Sequence, residues 1–182
     1  MTTETKEFVE TWKLKISEIK GDNLGNLFER YSTFYTLHNR LYNDSYRVLE
    51  NAGKLIKPRY SDFERATECV IQFNSAEEII KVLDANNNLP DIESIAQLIE
   101  NDVFHINLAD GVSQKDKDNE LKDNLRSNVA ETKAKAILSA IYNIRGNMLH
   151  GEKHFEEHQR MLLEPLIRII ETIINLEIEN LK

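Results

Sequence analysis

The chain has 182 residues, 41% hydrophobic and 30% charged, with 31 Asp and Glu against 23 Lys and Arg for a formal charge of −8. That length supports one sizeable core, so a single domain over 1–182 is expected; the acidic balance argues against a broad basic face for nucleic acid but leaves room for a local phosphate site. The single cysteine, Cys69, excludes an internal disulfide and reads as a buried, inert thiol. The first residues lack the apolar run of a signal peptide and no stretch is apolar for long enough to span a bilayer, so a cytoplasmic protein without a membrane partner is expected.

Six glycines and three prolines are few for this length, which favours an all-α chain. Phe8, Val9, Trp12, Ile16 and Ile19 recur at helical spacing and predict a first helix ending near residue 20, before the turn residues Gly21 to Gly25. From Leu24 to Leu49 a wide stripe with Leu27, Tyr31, Phe34, Tyr35, His38, Leu41 and Tyr42 predicts a long core helix. Its aromatics, Tyr46 included, read as core. Asn39 and Asn43 on the same helix are candidates for polar groups lining a cleft. Residues 51–60, with Gly53 and Pro58, read as a loop; its Lys54, Lys57 and Arg59 form a small basic cluster read as solvated surface. Ser61 to Glu64 and Ser75 to Glu78 each have the Ser-x-x-Glu form of a capping box, so short helices are expected over 62–73 and 75–86. Another short helix carries Ile92, Ile95, Leu98 and Ile99. Residues 101–117 are expected to be an exposed loop, with Lys115 to Asp118 a solvated charge run. The short elements over 51–117 thus form an insertion between the long helices. Leu121, Leu125, Val129, Ala136, Ala140 and Ile144 then continue a helical pattern over several turns. The last helix begins near Lys153 and carries Phe155, Leu162, Leu166, Ile169, Ile170, Ile173 and Ile174; Pro165 inside it removes one backbone hydrogen bond and is expected to kink it.

The segment "IRGNMLHGEKHFEEH", Ile144 to His158, joins the last two helices and holds three of the five histidines. Arg145 and His150 stand five positions apart, which on a straight helix turns their directions by roughly 140°. Gly146 and Gly151 permit a bend that brings both side chains to one pocket. Asn147 and His150 are three apart and are neighbours if the turn stays helical. His150, His154 and His158 share the spacing of zinc-binding pairs. Gly151 weakens the helix between the first two and no His-Glu-x-x-His order is present, so no metal or cofactor is assigned, and His154 and His158 are read as surface residues.

"IYNIRGNMLHGEK", Ile141 to Lys153, resembles the Arg-x4-6-His signature of HEPN domains. The long second helix "FERYSTFYTLHNRLYN" fits the all-helical plan of the family, and "DFERATECVIQF" is similar to a segment upstream of the motif in bacterial members. The resemblance implies a HEPN-like bundle of long antiparallel helices and a metal-independent endoribonuclease, in bacterial members a toxin or defence effector, whose site forms where two copies of the motif face each other in a homodimer. In that reading Arg145 holds the scissile phosphate, His150 moves the proton at the ribose 2′-hydroxyl or the leaving 5′-oxygen, and Asn147 and Asn39 bind substrate. The partners implied are RNA, a second copy of the chain and an antitoxin or other protein. Many members carry a polar residue directly after the arginine, where this chain has Gly146. Two other readings stand beside this one. The chain is a HEPN-type module that binds nucleotide, RNA or a protein without cutting, which the acidic charge favours; or it is a helical interaction domain in which Arg145 meets its own helix end and His150 caps it.

Overall fold

In the computed structural model the chain is described over residues 1–109, 112–149 and 157–182, without the side chains of Ala109, Asn147, Met148 and Leu149. It is an all-α bundle. The helices are α1 (Thr3–Glu18), α2 (Leu24–Asn51), α3 (Asp62–Glu64), α4 (Val70–Asn74), α5 (Ala76–Ala85), α6 (Leu89–Glu100), α7 (Lys115–Leu125), α8 (Ala130–Leu149) and α9 (Arg160–Leu181). Between α3 and α4 the chain makes a π-helical turn, Arg65–Cys69, so the three pieces run as one interrupted helix. Leu108–Ala109 (β1) and Val112–Ser113 (β2) form a two-residue antiparallel pair.

The two longest helices, α2 and α9, pack against each other along the centre of the bundle. Their facing stripes are mostly apolar where they meet, with Tyr31, Leu37 and Leu41 of α2 and Ile170 and Ile173 of α9 all 0% exposed, and enclose one polar pair, His38 and Glu177. Helix α1 lies on α2, α6 bridges α7 and α9, and α8 packs on α5, α7 and the π turn. Ala134, Ala136 and Ala140 are buried on α8, the small residues that let neighbouring helices approach closely. Local chemistry sets the ends of these elements. Ser61 completes a capping box, accepting from the Glu64 N–H at 3.2 Å while the Glu64 carboxylate takes the Ser61 N–H at 2.7 Å. Ser75 accepts from the Glu78 N–H and starts α5. Helix α9 runs unbroken through Pro165.

Two sequence expectations are corrected. Residues 101–117 are not simply exposed: Phe104 and Ile106 are buried, and the charge run opens α7. Asp118 is 3% exposed because its Oδ1 accepts from the Ile106 N–H, the Asn107 N–H and the Asn107 side-chain amide, which ties the preceding segment to α7. The second correction concerns the pattern from Leu121 to Ile144, which is broken at Arg126 to Val129. Arg126 ends α7 with its guanidinium locked onto Glu93 and Glu100 of α6, both at 2.8 Å, so the chain turns there instead of extending. No helix among the described residues is long and apolar enough to cross a membrane.

Candidate phosphate site around Arg145

Helix α8 carries Arg145 in its last turns, and α2 fixes where that turn lies. The Tyr31 hydroxyl donates to the Ile141 carbonyl at 2.7 Å, one turn before Arg145. The Arg145 guanidinium then stands over the Tyr35 ring, 5.2 Å from its centre, an attraction between the cation and the ring's negative face. Among the described residues no carboxylate, carbonyl or hydroxyl pairs with Arg145, although it is half-buried. The Tyr35 hydroxyl beneath it is buried against the Tyr42 hydroxyl, a hydrogen-bonding neighbour, although no hydrogen bond of good geometry joins it to the described residues. A half-buried cation with no ion-pair or hydrogen-bond partner among the described residues is an incomplete polar site, since such groups are normally satisfied.

The wall of this site is a carboxylate shared by two tyrosines. Asp62, in the first turn of α3, accepts from the Tyr42 hydroxyl at 2.9 Å and from the Tyr142 hydroxyl at 3.2 Å. Tyr142 lies three positions before Arg145, on the same side of α8, and its ring meets Phe63 edge-on at 5.2 Å. Asn39 donates to the Tyr42 hydroxyl at 2.6 Å and receives the Asn43 amide. Burial raises the pKa of Tyr31, Tyr35, Tyr42 and Tyr142, so all four remain protonated near neutrality. These phenols act as hydrogen-bond donors and not as bases. The arrangement can hold an anion at Arg145 and a hydroxyl-bearing group at Asp62.

Beside this wall, α7, α8 and Phe63 enclose a cleft of about 500 Å³ that also takes in Ser139 and Asn143. Lys117, Lys135, Glu120 and Glu131 all line it, so its charges balance. The Cys69 thiol is buried and its pKa is pushed up to about 11, consistent with an inert role.

Of the residues singled out in the sequence, Arg145 and Asn39 come together around Tyr35 and Tyr42. Asn147 lies within α8, and its side chain falls outside the described residues, as do His150 and His154 entirely. His158 is exposed, its ring 5.1 Å from that of Phe104. In the basic loop cluster, Lys57 is spent on Glu64 and Glu68. Sequence reasoning missed Asp62, read only as part of a cap, and Tyr142, although its spacing to Arg145 was visible. Tyr35 and Tyr42 were read as core, which they are, but their hydroxyls also serve the site. No protein-family model, curated protein or solved structure matches the chain.

Proposed function

We propose that the chain is a HEPN-type, metal-independent endoribonuclease acting as a homodimer on RNA in the cytoplasm, as a toxin or defence effector restrained by an antitoxin or other protein partner. The observation that carries the reading is Arg145: a half-buried guanidinium with no ion-pair partner among the described residues, held over the Tyr35 ring. Such a cation is set for a ligand's phosphate, and the negative charge that grows on a phosphorane is where it stabilises most. His150, five positions on in the sequence, supplies the proton chemistry. It takes the proton of the 2′-hydroxyl as that oxygen attacks phosphorus. The bond to the 5′-oxygen breaks, that oxygen is protonated, and the products are a 2′,3′-cyclic phosphate and a 5′-hydroxyl end. Asn39 and Asn147 orient the ribose and phosphate.

The test is cleavage of a mixed RNA pool by purified protein in EDTA, compared with Arg145→Ala and His150→Ala. Cleavage that survives EDTA and disappears in both variants supports the reading. Wild-type protein that binds RNA and leaves it intact across varied pools replaces it with the non-catalytic module, which the net charge of −8 favours.

A further inference from the structure

A carboxylate inside the bundle fixes the orientation of an amide on its surface. Asp118 is 3% exposed, and its Oδ1 accepts from the backbone N–H groups of Ile106 and Asn107 at 3.1 and 2.8 Å. Its Oδ2 faces His105 Nδ1 at 3.5 Å. An oxygen that already accepts twice offers the Asn107 side chain only an acceptor. Asn107 therefore presents Nδ2 to it, at 2.9 Å, and turns its own Oδ1 away. That Oδ1 can be met only by a donor. Asn143 of α8 supplies one, Nδ2 to Asn107 Oδ1 at 2.9 Å. Asn143 is thereby left with its carbonyl oxygen and its second N–H without partners among the described residues. Hydrogen bonding through Asp118, Asn107 and Asn143 has one direction, since reversing either amide sets oxygen against oxygen.

The free end of this relay lies on the wall of the cleft between α7, α8 and Phe63. The cleft holds about 500 Å³, inside the range of about 300–1,000 Å³ usual for small-molecule sites. Its lining is reached by solvent: Asn107, Asn124, Ser139 and Asn143 are half-buried, and Val129 is 61% exposed. Thr132, Ala136, Ser139 and Asn143 recur at helical spacing and form the α8 side. Ala136 and Ser139 are small, which leaves room beside the amide, and the half-buried Phe63 ring adds an aromatic surface. The lysines and glutamates of the lining balance, so nothing in the cleft singles out an anion. Recognition falls to the amide.

We propose that this cleft binds adenine, as the free nucleoside or as a base of an RNA strand. An asparagine with Oδ1 and an Nδ2–H both free pairs with the N6 amino group and N7 of adenine through two parallel hydrogen bonds. The relay sets the choice of base. Hypoxanthine and guanine place an oxygen where adenine has its amino group, and Asn143 cannot turn over to meet it. Cytosine offers the same order of groups on a smaller ring, which covers less of the Phe63 and Ala136 surfaces. Asn143 and Arg145 are two positions apart on α8, which points them roughly 160° apart around the helix, so the site does not depend on what Arg145 binds.

The test uses the full chain carrying His150→Ala, so that no strand is cut. Adenosine and inosine are titrated separately and followed by two-dimensional amide NMR, in which the Asn143 side-chain amide reports directly. Adenosine is expected to bind about 5- to 150-fold more tightly than inosine, the worth of one bidentate pair between an amide and a base. Asn143→Leu should abolish that preference. Asn107→Leu retains Asn143 and the backbone bond to Asp118 but lets the Asn143 amide turn over, so adenosine and inosine should then bind alike. The source of the base is decided with a short oligoadenylate, with and without Arg145→Ala. A strand that binds more tightly than adenosine, and loses the gain with Arg145→Ala, occupies both sites; a strand without any gain makes the free nucleoside the ligand. No saturable binding of adenosine, inosine binding as tightly as adenosine, a preference that survives Asn143→Leu, or shifts confined to residues away from the cleft each overturns the site. None of these outcomes turns on RNA cleavage, so the nuclease reading and the adenine site fail separately.

Discussion

Arg145 contributes little to holding the bundle together, and that separates its packing from the phosphate-binding role proposed for it. Its guanidinium is held by the Tyr35 ring, worth about 0.5–1 kcal/mol at a partly solvated site. Arg145→Ala should therefore lower unfolding free energy by about that amount in urea, yet reduce RNA cleavage by about 10²–10³-fold, the usual loss when a charge-stabilising donor is removed. A cleavage loss matched by an equally large collapse in stability would make Arg145 structural. Tyr35→Phe probes the hydroxyl beneath it. Because that oxygen is buried with Tyr42 beside it but no hydrogen bond of good geometry among the described residues, its removal should change stability by no more than about 1 kcal/mol, while weakening RNA binding where the hydroxyl donates to the bound phosphate. Arg145 was legible in the sequence because a cation interrupts an otherwise apolar face before a glycine. The residues that complete its surroundings were not, because Tyr35, Asp62 and Tyr142 belong to three elements, and their meeting depends on how α2, α3 and α8 pack.

At the scale of elements, periodicity revealed the helices well: α1, α2, α5 and α6 begin and end close to where the apolar stripes and caps place them. Two features escaped it. The π turn differs from an α turn by one residue in spacing, and the apolar pattern of "DFERATECVIQF" runs through it. The break between α7 and α8 depends on Arg126 meeting α6, a contact from distant sequence. The α2–α9 pairing also contains a group that periodicity treats as an error: Glu177, 0% exposed, bonded to His38 Nδ1 at 2.7 Å. Burial raises the Glu177 pKa above its ordinary 4.5, and His38 opposes that rise. A raised carboxyl pKa means that the folded chain retains a proton which the unfolded chain releases. The contribution of Glu177 to stability is then greatest in acid and falls as pH climbs above 4.5. His38→Leu removes the opposing partner, so it should cost about 3–5 kcal/mol at neutral pH and progressively less toward acid. Glu64, Glu68, Glu93 and Glu100 have lowered pKa values and act in the opposite sense. For that reason the check is the difference between variant and wild-type urea midpoints across pH; a difference that stays flat, or grows toward acid, would show that Glu177 is not the group responsible.

For the whole molecule, the open matter is whether one chain contains a complete site. Composition made the all-α class legible, because helix formers dominate and breakers are scarce, but self-association leaves no comparable mark on a sequence. The helix geometry bears on it. Helix α8 stays helical to Leu149, and on sequence spacing an ideal helix turns position 150 roughly 140° away from Arg145, so Arg145 and His150 of one chain diverge unless the chain bends. A two-fold dimer removes the difficulty, since an isologous contact sets the same patch of both copies face to face and lets the arginine of one meet the histidine of the other. Complementation decides between the two arrangements. Arg145→Ala and His150→Ala proteins, each inactive alone, are unfolded together, refolded as an equal mixture and assayed on RNA in EDTA. Shared sites predict recovery of about a quarter of wild-type activity, because half the dimers are mixed and each mixed dimer holds one intact site of two. The recovered activity should fall on dilution as dimers separate. Sites built within one chain predict no recovery at any concentration, since every chain in the mixture then lacks one of its two essential groups.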